Sequence, residues 1–370
     1  MKQIYSVFTY YQLITAMQIK TTIFPKCKGD LILSDHSSGS YKVAEAIRKY
    51  DIFDNVFTAK SVDEMRLDTL FKKIKRVADI AFNNNNFPLK CSDLMELDYN
   101  EFLFFNFNYF DSCLYYLLKK KCPDLICRRF EEGYTSGFDF NIFISGSSSL
   151  QRKFEKIHGN PDSTYVAEMF FYEPDLVQFE AKCKISAIPK FNKLNNEMKQ
   201  VLNSVFDYKN SDTYDRKYIF FEESYNVDGK NMDDLELVLK IADKVGKENL
   251  MVKLHPRSRI DRFSEYGIKT NNAVGIPWEV IILNNDFSDK VFLTISSGSV
   301  LSPRILFGEN VQTYMLFNCT KNKSDIVKGR FFDYIELFKK KFGKSGFYIP
   351  ENCDEFLKWL KVENDKKANE

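Results

Sequence analysis

Short apolar runs alternate with amphipathic helical patterns along most of this chain, and this alternation limits its fold more than any other feature. An apolar run at 3–8 is followed by a helical pattern at 11–22, a second run at 30–33 and a second helical pattern at 41–49. Strands of about five residues that alternate with helices are typical of a mostly parallel sheet with helices on both faces. The sequence therefore predicts an α/β fold.

The alternation continues to residue 130 and then becomes irregular between 138 and 190. The first part also predicts a helix at 62–77, a strand at 79–82, a loop at Asn83–Asn86, a strand at 101–105, a helix at 109–120 and a strand at 124–130. The irregular part has polar loops at 145–149 and 158–163. Because the rhythm is lost there, we place the domain joint near its end.

The alternation resumes in the second half and indicates a second Rossmann-like domain. Strands are predicted at 217–221, 250–254, 290–295 and 311–316, with helices at 193–206, 232–246, 277–283, from about Ser299, at 325–342 and at 352–362. We therefore divide the chain into domains 1–190 and 191–370. Two Rossmann-like domains that face each other across a cleft describe the GT-B architecture, although other two-domain α/β proteins have the same pattern.

Composition and charge exclude several classes of protein. A hydrophobic content of 44% is too high for a disordered chain. The net charge of +2 lacks the basic excess of a general nucleic-acid binder. No apolar stretch approaches the 18 residues of a membrane span, and the N-terminus has no signal-peptide pattern. We expect a cytoplasmic protein with reduced cysteines, whose spacing gives no metal site.

The chain has three histidines, and His255 is the most informative of them. It follows the predicted strand 250–254 and precedes Pro256, which keeps the preceding residue extended. Ligands bind at this carboxyl edge of open α/β sheets. A ligand-binding role and a structural role at the strand end both fit His255. We interpret His36 as a polar loop residue, and His158 has no partner by sequence.

Three further motifs follow predicted strands or begin helices. In Thr294–Ser299, small hydroxyl residues and a glycine favour either an anion site or a helix cap. In Glu131-Glu132-Gly133, one carboxylate could act as a base with a raised pKa, or both could belong to a solvated turn. Glu279, which follows Pro277-Trp278, suits either a ribose diol or the helix dipole.

The order of these motifs resembles the signature of the bacterial lipooligosaccharide and capsule sialyltransferases. That signature has an acidic pair followed by glycine, then His-Pro, then Ser-Ser or Ser-Thr. The stretch Tyr5–Leu13 is also similar to the opening of that family, and the resemblance extends from about residue 3 to 310. It implies a GT-B fold and inverting, metal-free transfer, without a cofactor, from CMP-sialic acid to a galactoside of a surface glycan, α2,3 being the commonest linkage.

The resemblance also implies roles for individual residues. Domain 1–190 would bind the acceptor, with Gln12 at the acceptor site. Glu131 would be the general base, with Glu132 as the second candidate. Domain 191–370 would bind the CMP-sugar at His255, Pro256, Glu279, Ser296 and Ser297. His255 would be catalytic and would protonate or hydrogen-bond the departing phosphate, Ser296 and Ser297 would bind that phosphate, and Glu279 would bind the ribose.

Two other functions fit the same sequence features. CDP-glycerol phosphotransferases also have a GT-B-like half with His-Pro and Ser-Ser elements and also release CMP, although no second histidine is placed here to act as their base. A non-catalytic protein that binds nucleotides or glycans can share the fold. Apart from small molecules, we expect no nucleic-acid partner, and we leave open a homodimer and peripheral association with the inner face of the membrane.

Overall fold

The computed structural model describes residues 1–61, 71, 74, 98–140, 142, 166–209, 214–225, 227, 229–230, 232–258, 260–271, 275–321, 323 and 329–367. Several predicted features lie outside the described residues: the helix at 62–77 apart from 71 and 74, the strand at 79–82, the loop at Asn83–Asn86, and the loops at 145–149 and 158–163 with His158. The described residues form two compact units. Unit 1 comprises Met1–Phe191 and Gln200–Phe206, and unit 2 comprises Asn192–Lys199 and Asp207–Glu370.

Unit 1 contains a seven-stranded sheet in which neighbouring strands are parallel, in the order β3-β2-β1-β4-β5-β6-β7. Its strands are β1 (Lys2–Val7), β2 (Lys28–Ser34), β3 (Asn55–Ala59), β4 (Glu101–Phe104), β5 (Ile126–Phe130), β6 (Glu168–Phe171) and β7 (Lys184–Ala187). Its helices include α1 (Tyr10–Thr22), α2 (Ser40–Ile47) and α3 (Tyr109–Lys121). The chain order reverses at β1, so the carboxyl ends of β1 and β4 flank a switch point of the kind at which ligands bind.

Unit 2 contains a six-stranded parallel sheet in the order β10-β9-β8-β11-β12-β13. Its strands are β8 (Tyr218–Phe221), β9 (Leu250–Lys253), β10 (Lys269–Asn271), β11 (Val291–Thr294), β12 (Gln312–Met315) and β13 (Phe347–Tyr348). The described helices that follow β7 along the chain are α4 (Asn196–Val205), α5 (Asp234–Val245), α6 (Trp278–Asn284), α7 (Arg330–Phe342) and α8 (Cys353–Lys367). The switch point of this sheet lies between β8 and β11.

Local sequence explains where several elements begin. Thr9 caps α1, and its side-chain oxygen accepts a hydrogen bond from the Gln12 N–H at 3.2 Å. All four residues of β4 and of β8 are buried, as expected for strands covered on both faces. Among the described helices, none combines the length and the apolar character needed to cross a membrane.

Strands β10 and β13 were not predicted, and the structure differs from the predicted elements in two further places. The irregular part contributes β6 and β7, which extend the first sheet. The helix predicted from Ser299 is replaced by a 3₁₀ turn at Gly298–Val300 and a π-helical turn at Pro303–Phe307. Pro303 has no N–H to donate to the preceding turn, so a regular α-helix is not continued through this segment.

Candidate functional site

Glu131 follows β5 and is buried at the carboxyl edge of the first sheet, with 5% of its surface exposed. One carboxylate oxygen accepts a hydrogen bond from the Tyr11 hydroxyl at 2.8 Å, and the other accepts one from the Tyr172 N–H at 3.1 Å. Burial raises the pKa of Glu131 to about 7, and the charge of Glu173 also raises it, whereas the two hydrogen bonds lower it. Both oxygens of this carboxylate therefore have protein donors.

Glu132 is half-buried and lies at the N-terminus of α1. Burial raises the pKa of Glu132, while the neighbouring side chains of Thr9 and Gln12 and the nearby charge of His36 lower it. The structure therefore brings together Glu132 and Gln12, two of the residues predicted from the sequence, and adds His36, which the sequence analysis interpreted as a loop residue.

The backbone near Glu132 and Gln12 holds both side chains in place. Gln12 Oε1 accepts a hydrogen bond from the Phe8 N–H at 2.7 Å, which directs the amide NH₂ of Gln12 toward other acceptors. Gly133 has a φ of +68°, a conformation that side-chain-bearing residues rarely adopt, and it starts the turn Tyr134–Gly137. The chain therefore bends directly after the two carboxylates.

His255 in unit 2 lies just beyond β9, at the predicted carboxyl edge. Its backbone N–H donates to the Glu222 carboxylate at 3.0 Å. Its ring nitrogen Nδ1 accepts a hydrogen bond from the Arg257 backbone N–H at 3.1 Å. Because Nδ1 is an acceptor, the neutral imidazole carries its proton on Nε2. Pro256 is exposed beside it.

Ser296 and Ser297 follow β11, the neighbour of β8 across the switch point. The Ser296 N–H donates to Glu223, and the Ser296 hydroxyl is hydrogen-bonded to the Tyr225 hydroxyl. The Ser297 N–H donates to the Thr294 hydroxyl oxygen at 2.9 Å. These two backbone donors are thus engaged within the protein, and Ser297 also caps the 3₁₀ turn that follows.

Glu279 lies in the first turn of α6, and 8% of its surface is exposed. Burial raises the pKa of Glu279, and the charge of Lys253 lowers it. Burial also lowers the pKa of Lys253 to about 8. The Lys253 ammonium lies 5.5 Å from the centre of the Trp278 ring, and the Trp278 indole N–H donates to the Ser299 carbonyl at 2.8 Å. Trp278 therefore connects α6 to the loop after β11.

The predicted residues lie at the strand ends or helix starts that the sequence indicated, in two groups. Unit 1 holds Gln12, Glu131 and Glu132, and unit 2 holds His255, Pro256, Glu279, Ser296 and Ser297. Glu222 and Glu223 were not among the predicted residues, although they follow a predicted strand just as Glu131 and Glu132 do. In the part of the chain that the structure describes, no three His, Cys, Asp or Glu side chains form a group that could hold a metal ion.

Comparison with solved structures establishes the fold. The α/β-galactoside α-2,3-sialyltransferase of the luminous marine bacterium Photobacterium phosphoreum is 12% identical; the match covers 94% of this chain and 98% of that one, with a TM-score of 0.51. Glycosyltransferase VinC in complex with dTDP is 10% identical over 100% of this chain and 93% of its own, with a TM-score of 0.45. UDP-N-acetylglucosamine 2-epimerase from Rickettsia bellii is 14% identical over 85% and 79%, with a TM-score of 0.40.

The last two scores are below 0.5, so the comparison depends on the Photobacterium enzyme. No protein-family model matches the chain, and no curated protein matches it at a significant level. Together with the two parallel sheets, the match confirms the predicted α/β fold of GT-B type with two Rossmann-like units. At 12% identity it establishes the fold alone.

Proposed function

We propose that this protein is a metal-independent sialyltransferase that transfers sialic acid from CMP-sialic acid to a galactoside. One observation carries the proposal: the residues of the signature occupy the carboxyl edges of two Rossmann-like sheets, where ligands bind. The acidic pair lies on one sheet, and the His-Pro and Ser-Ser elements lie on the other. The fold shared with the Photobacterium sialyltransferase supports it.

The contacts favour Glu132 over Glu131 as the general base, although the sequence analysis placed Glu131 first. Glu131 is almost fully buried, and both its oxygens already accept hydrogen bonds. Glu132 is half-buried, so its carboxylate is the more accessible of the two, and burial raises its pKa as well. We assign Glu132 to proton abstraction, Glu131 to holding Tyr11 and the backbone after β6, and Gln12 to the acceptor site.

The reaction is a single displacement at the anomeric carbon. The acceptor oxygen forms a bond to that carbon as its proton passes to Glu132, and the bond to the CMP phosphate breaks with the electron pair leaving on the phosphate. The Nε2–H of His255, beside Pro256, would donate to a phosphate oxygen. The hydroxyls of Ser296 and Ser297 would bind the phosphate and Glu279 the ribose diol, so CMP departs stabilised by protein donors.

Incubation with CMP-sialic acid and lactose, followed by NMR of the product, tests the proposal. We expect an inverted sialoside and free CMP, with the same rate before and after EDTA. Glu132→Gln should abolish transfer while CMP binding measured by calorimetry persists, and Glu131→Gln is the matched neighbouring variant with a milder effect. If instead Glu131→Gln abolishes transfer and Glu132→Gln has the milder effect, Glu131 is the base.

Other outcomes would identify the alternatives. Turnover of CDP-glycerol but not of CMP-sialic acid would indicate the phosphotransferase. Binding of CMP without turnover of any CMP-sugar would indicate a binding protein. Loss of activity on chelation, restored by Mg²⁺ or Mn²⁺, would refute the metal-independent mechanism.

A further inference from the structure

Two adjacent acidic residues, Glu222 and Glu223, directly follow β8, the strand that borders the switch point of the second sheet. Strand β8 has β9 on one side and β11 on the other. The two carboxylates contact the loops after both neighbouring strands, Glu222 the loop after β9 and Glu223 the loop after β11.

Glu222 contacts the loop after β9. One of its carboxylate oxygens accepts hydrogen bonds from the His255 N–H at 3.0 Å and from the Ser258 hydroxyl at 2.7 Å. The other oxygen accepts one from the Arg262 guanidinium at 2.9 Å. Glu222 is 4% exposed, so this carboxylate is held in one place by donors on both oxygens. It thereby fixes the backbone that carries the imidazole.

Glu223 contacts the loop after β11. One of its oxygens accepts a hydrogen bond from the Thr294 hydroxyl at 3.0 Å and another from the Ser296 N–H. The Tyr225 hydroxyl is hydrogen-bonded to the Ser296 hydroxyl. Glu223 therefore determines the conformation of the segment that presents the two serines.

We propose that Glu222 and Glu223 are positioning residues for the donor site, with Glu222 orienting His255 and Glu223 orienting the Ser296 loop. The proposal rests on the proposed function for its kinetic consequences and on the hydrogen bonds for its structural ones. Neither carboxylate needs to touch the substrate. Replacing Glu222 should therefore lower kcat, because Glu222 holds His255. Replacing Glu223 should lower the affinity for the donor, because Glu223 holds the Ser296 loop.

The chain offers a matched control for Glu222. Arg262 also binds Asp234, at 2.6 and 3.2 Å. Asp234 is as buried as Glu222, with 4% of its surface exposed, and is bound to the same guanidinium. Asp234→Asn therefore removes a buried charge from the same ion-pair network without removing an acceptor of the His255 N–H.

Steady-state kinetics with CMP-sialic acid and lactose separates these variants. Glu222→Ala removes the acceptor of the His255 backbone N–H and of the Ser258 hydroxyl together with the arginine contact. Because a hydrogen bond to a charged group is lost, we expect kcat to fall about 10- to 100-fold with little change in donor KM. Asp234→Asn should retain the wild-type kcat. Equal kcat values for the two variants would overturn the role of Glu222.

For Glu223 the conservative variant is the control. Glu223→Gln keeps an acceptor oxygen for Thr294 and the Ser296 N–H, whereas Glu223→Ala removes it. We expect the alanine variant to weaken CMP binding about 10-fold, measured by calorimetry, and the glutamine variant to restore it. If alanine leaves the CMP affinity unchanged, or glutamine is as damaging as alanine, Glu223 does not position the loop through its acceptor oxygen.

NMR spectra test, without any substrate, whether Glu222 and Glu223 hold the His255 and Ser296 loops. With three histidines, the imidazole signals can be assigned by single substitutions. Glu222→Ala should move the His255 signal and leave that of His36 in place, and Asp234→Asn should move neither. The Ser296 amide proton should shift upfield in Glu223→Ala but not in Glu223→Gln. If the His255 and Ser296 signals do not move in these variants, the inference is refuted. If the signals move as expected but the wild-type protein does not transfer sialic acid, only the proposed function is refuted.

Discussion

Glu131→Gln should change how the stability of the protein depends on pH. The Glu131 carboxyl is buried beside α1 and β6, with the Tyr11 hydroxyl and the Tyr172 N–H as its donors. Burial raises its pKa from 4.5 to about 7. Glutamine has a similar size and keeps an acceptor oxygen, but it does not titrate. The two proteins therefore differ mainly in one protonation equilibrium.

The sign and size of this stability change follow from the linkage between protonation and folding. Between about pH 4.5 and 7 the folded protein holds a proton on Glu131 that the unfolded chain has released. The free energy of unfolding therefore falls as pH rises through this window, and above it no further change arises from this group. A pKa difference of 2.5 units corresponds to about 3 kcal/mol. Relative to wild type, Glu131→Gln should gain about 3 kcal/mol between pH 4.5 and 8.

Urea unfolding followed by circular dichroism at several pH values from 4.5 to 8 measures this difference. Asp111 and Glu223 also have pKa values raised to about 7, but they are present in both proteins and cancel. The exposed Glu265→Gln in unit 2 serves as the control and should give a profile parallel to that of wild type. Parallel profiles for wild type and Glu131→Gln would refute the burial argument.

Further predictions concern the donor site. His255→Ala should lower kcat by about 10²–10⁴ while the circular dichroism spectrum stays native, and a near-native kcat would remove His255 from the mechanism. Ser297→Ala should weaken CMP binding by about 1–3 kcal/mol in calorimetry, because one hydrogen bond to a charged phosphate is lost. CMP at a hundredfold excess over Kd should add about 2.7 kcal/mol to the free energy of unfolding, seen as a higher thermal midpoint with or without EDTA.

The sequence predicted the parallel α/β framework because buried strands appear as apolar runs. Strands β4 and β8 are buried along their whole length, so every residue contributes to the signal. Strand β7 at the edge of the first sheet has no fully buried residue, and β13 has two residues. Strands of this kind are formed by pairing with a neighbour, which a single sequence does not reveal.

The candidate site was predicted in its residue types and strand-end positions but not in its contacts. Those contacts join residues far apart in sequence, with separations of 120 for Tyr11 and Glu131, 33 for Glu222 and His255, and 73 for Glu223 and Ser296. Residues at such separations meet only because parallel strands bring their carboxyl ends to one edge of a sheet. The strand ends were readable from the sequence, and the strand order was not.

The two Glu-Glu pairs show why the surroundings, and not the dipeptide, determine the chemistry. Each pair directly follows a buried strand of a parallel sheet. In unit 2 both carboxylates accept hydrogen bonds from the backbone N–H groups of neighbouring loops, which makes them suited to holding those loops in place. In unit 1 the Glu131 carboxylate is occupied in the same way, whereas Glu132 is half-buried, and the neighbouring side chains of Thr9 and Gln12 lower its pKa. Under the proposed function the base must be accessible to a substrate hydroxyl, and of the two carboxylates in unit 1 Glu132 is the more accessible.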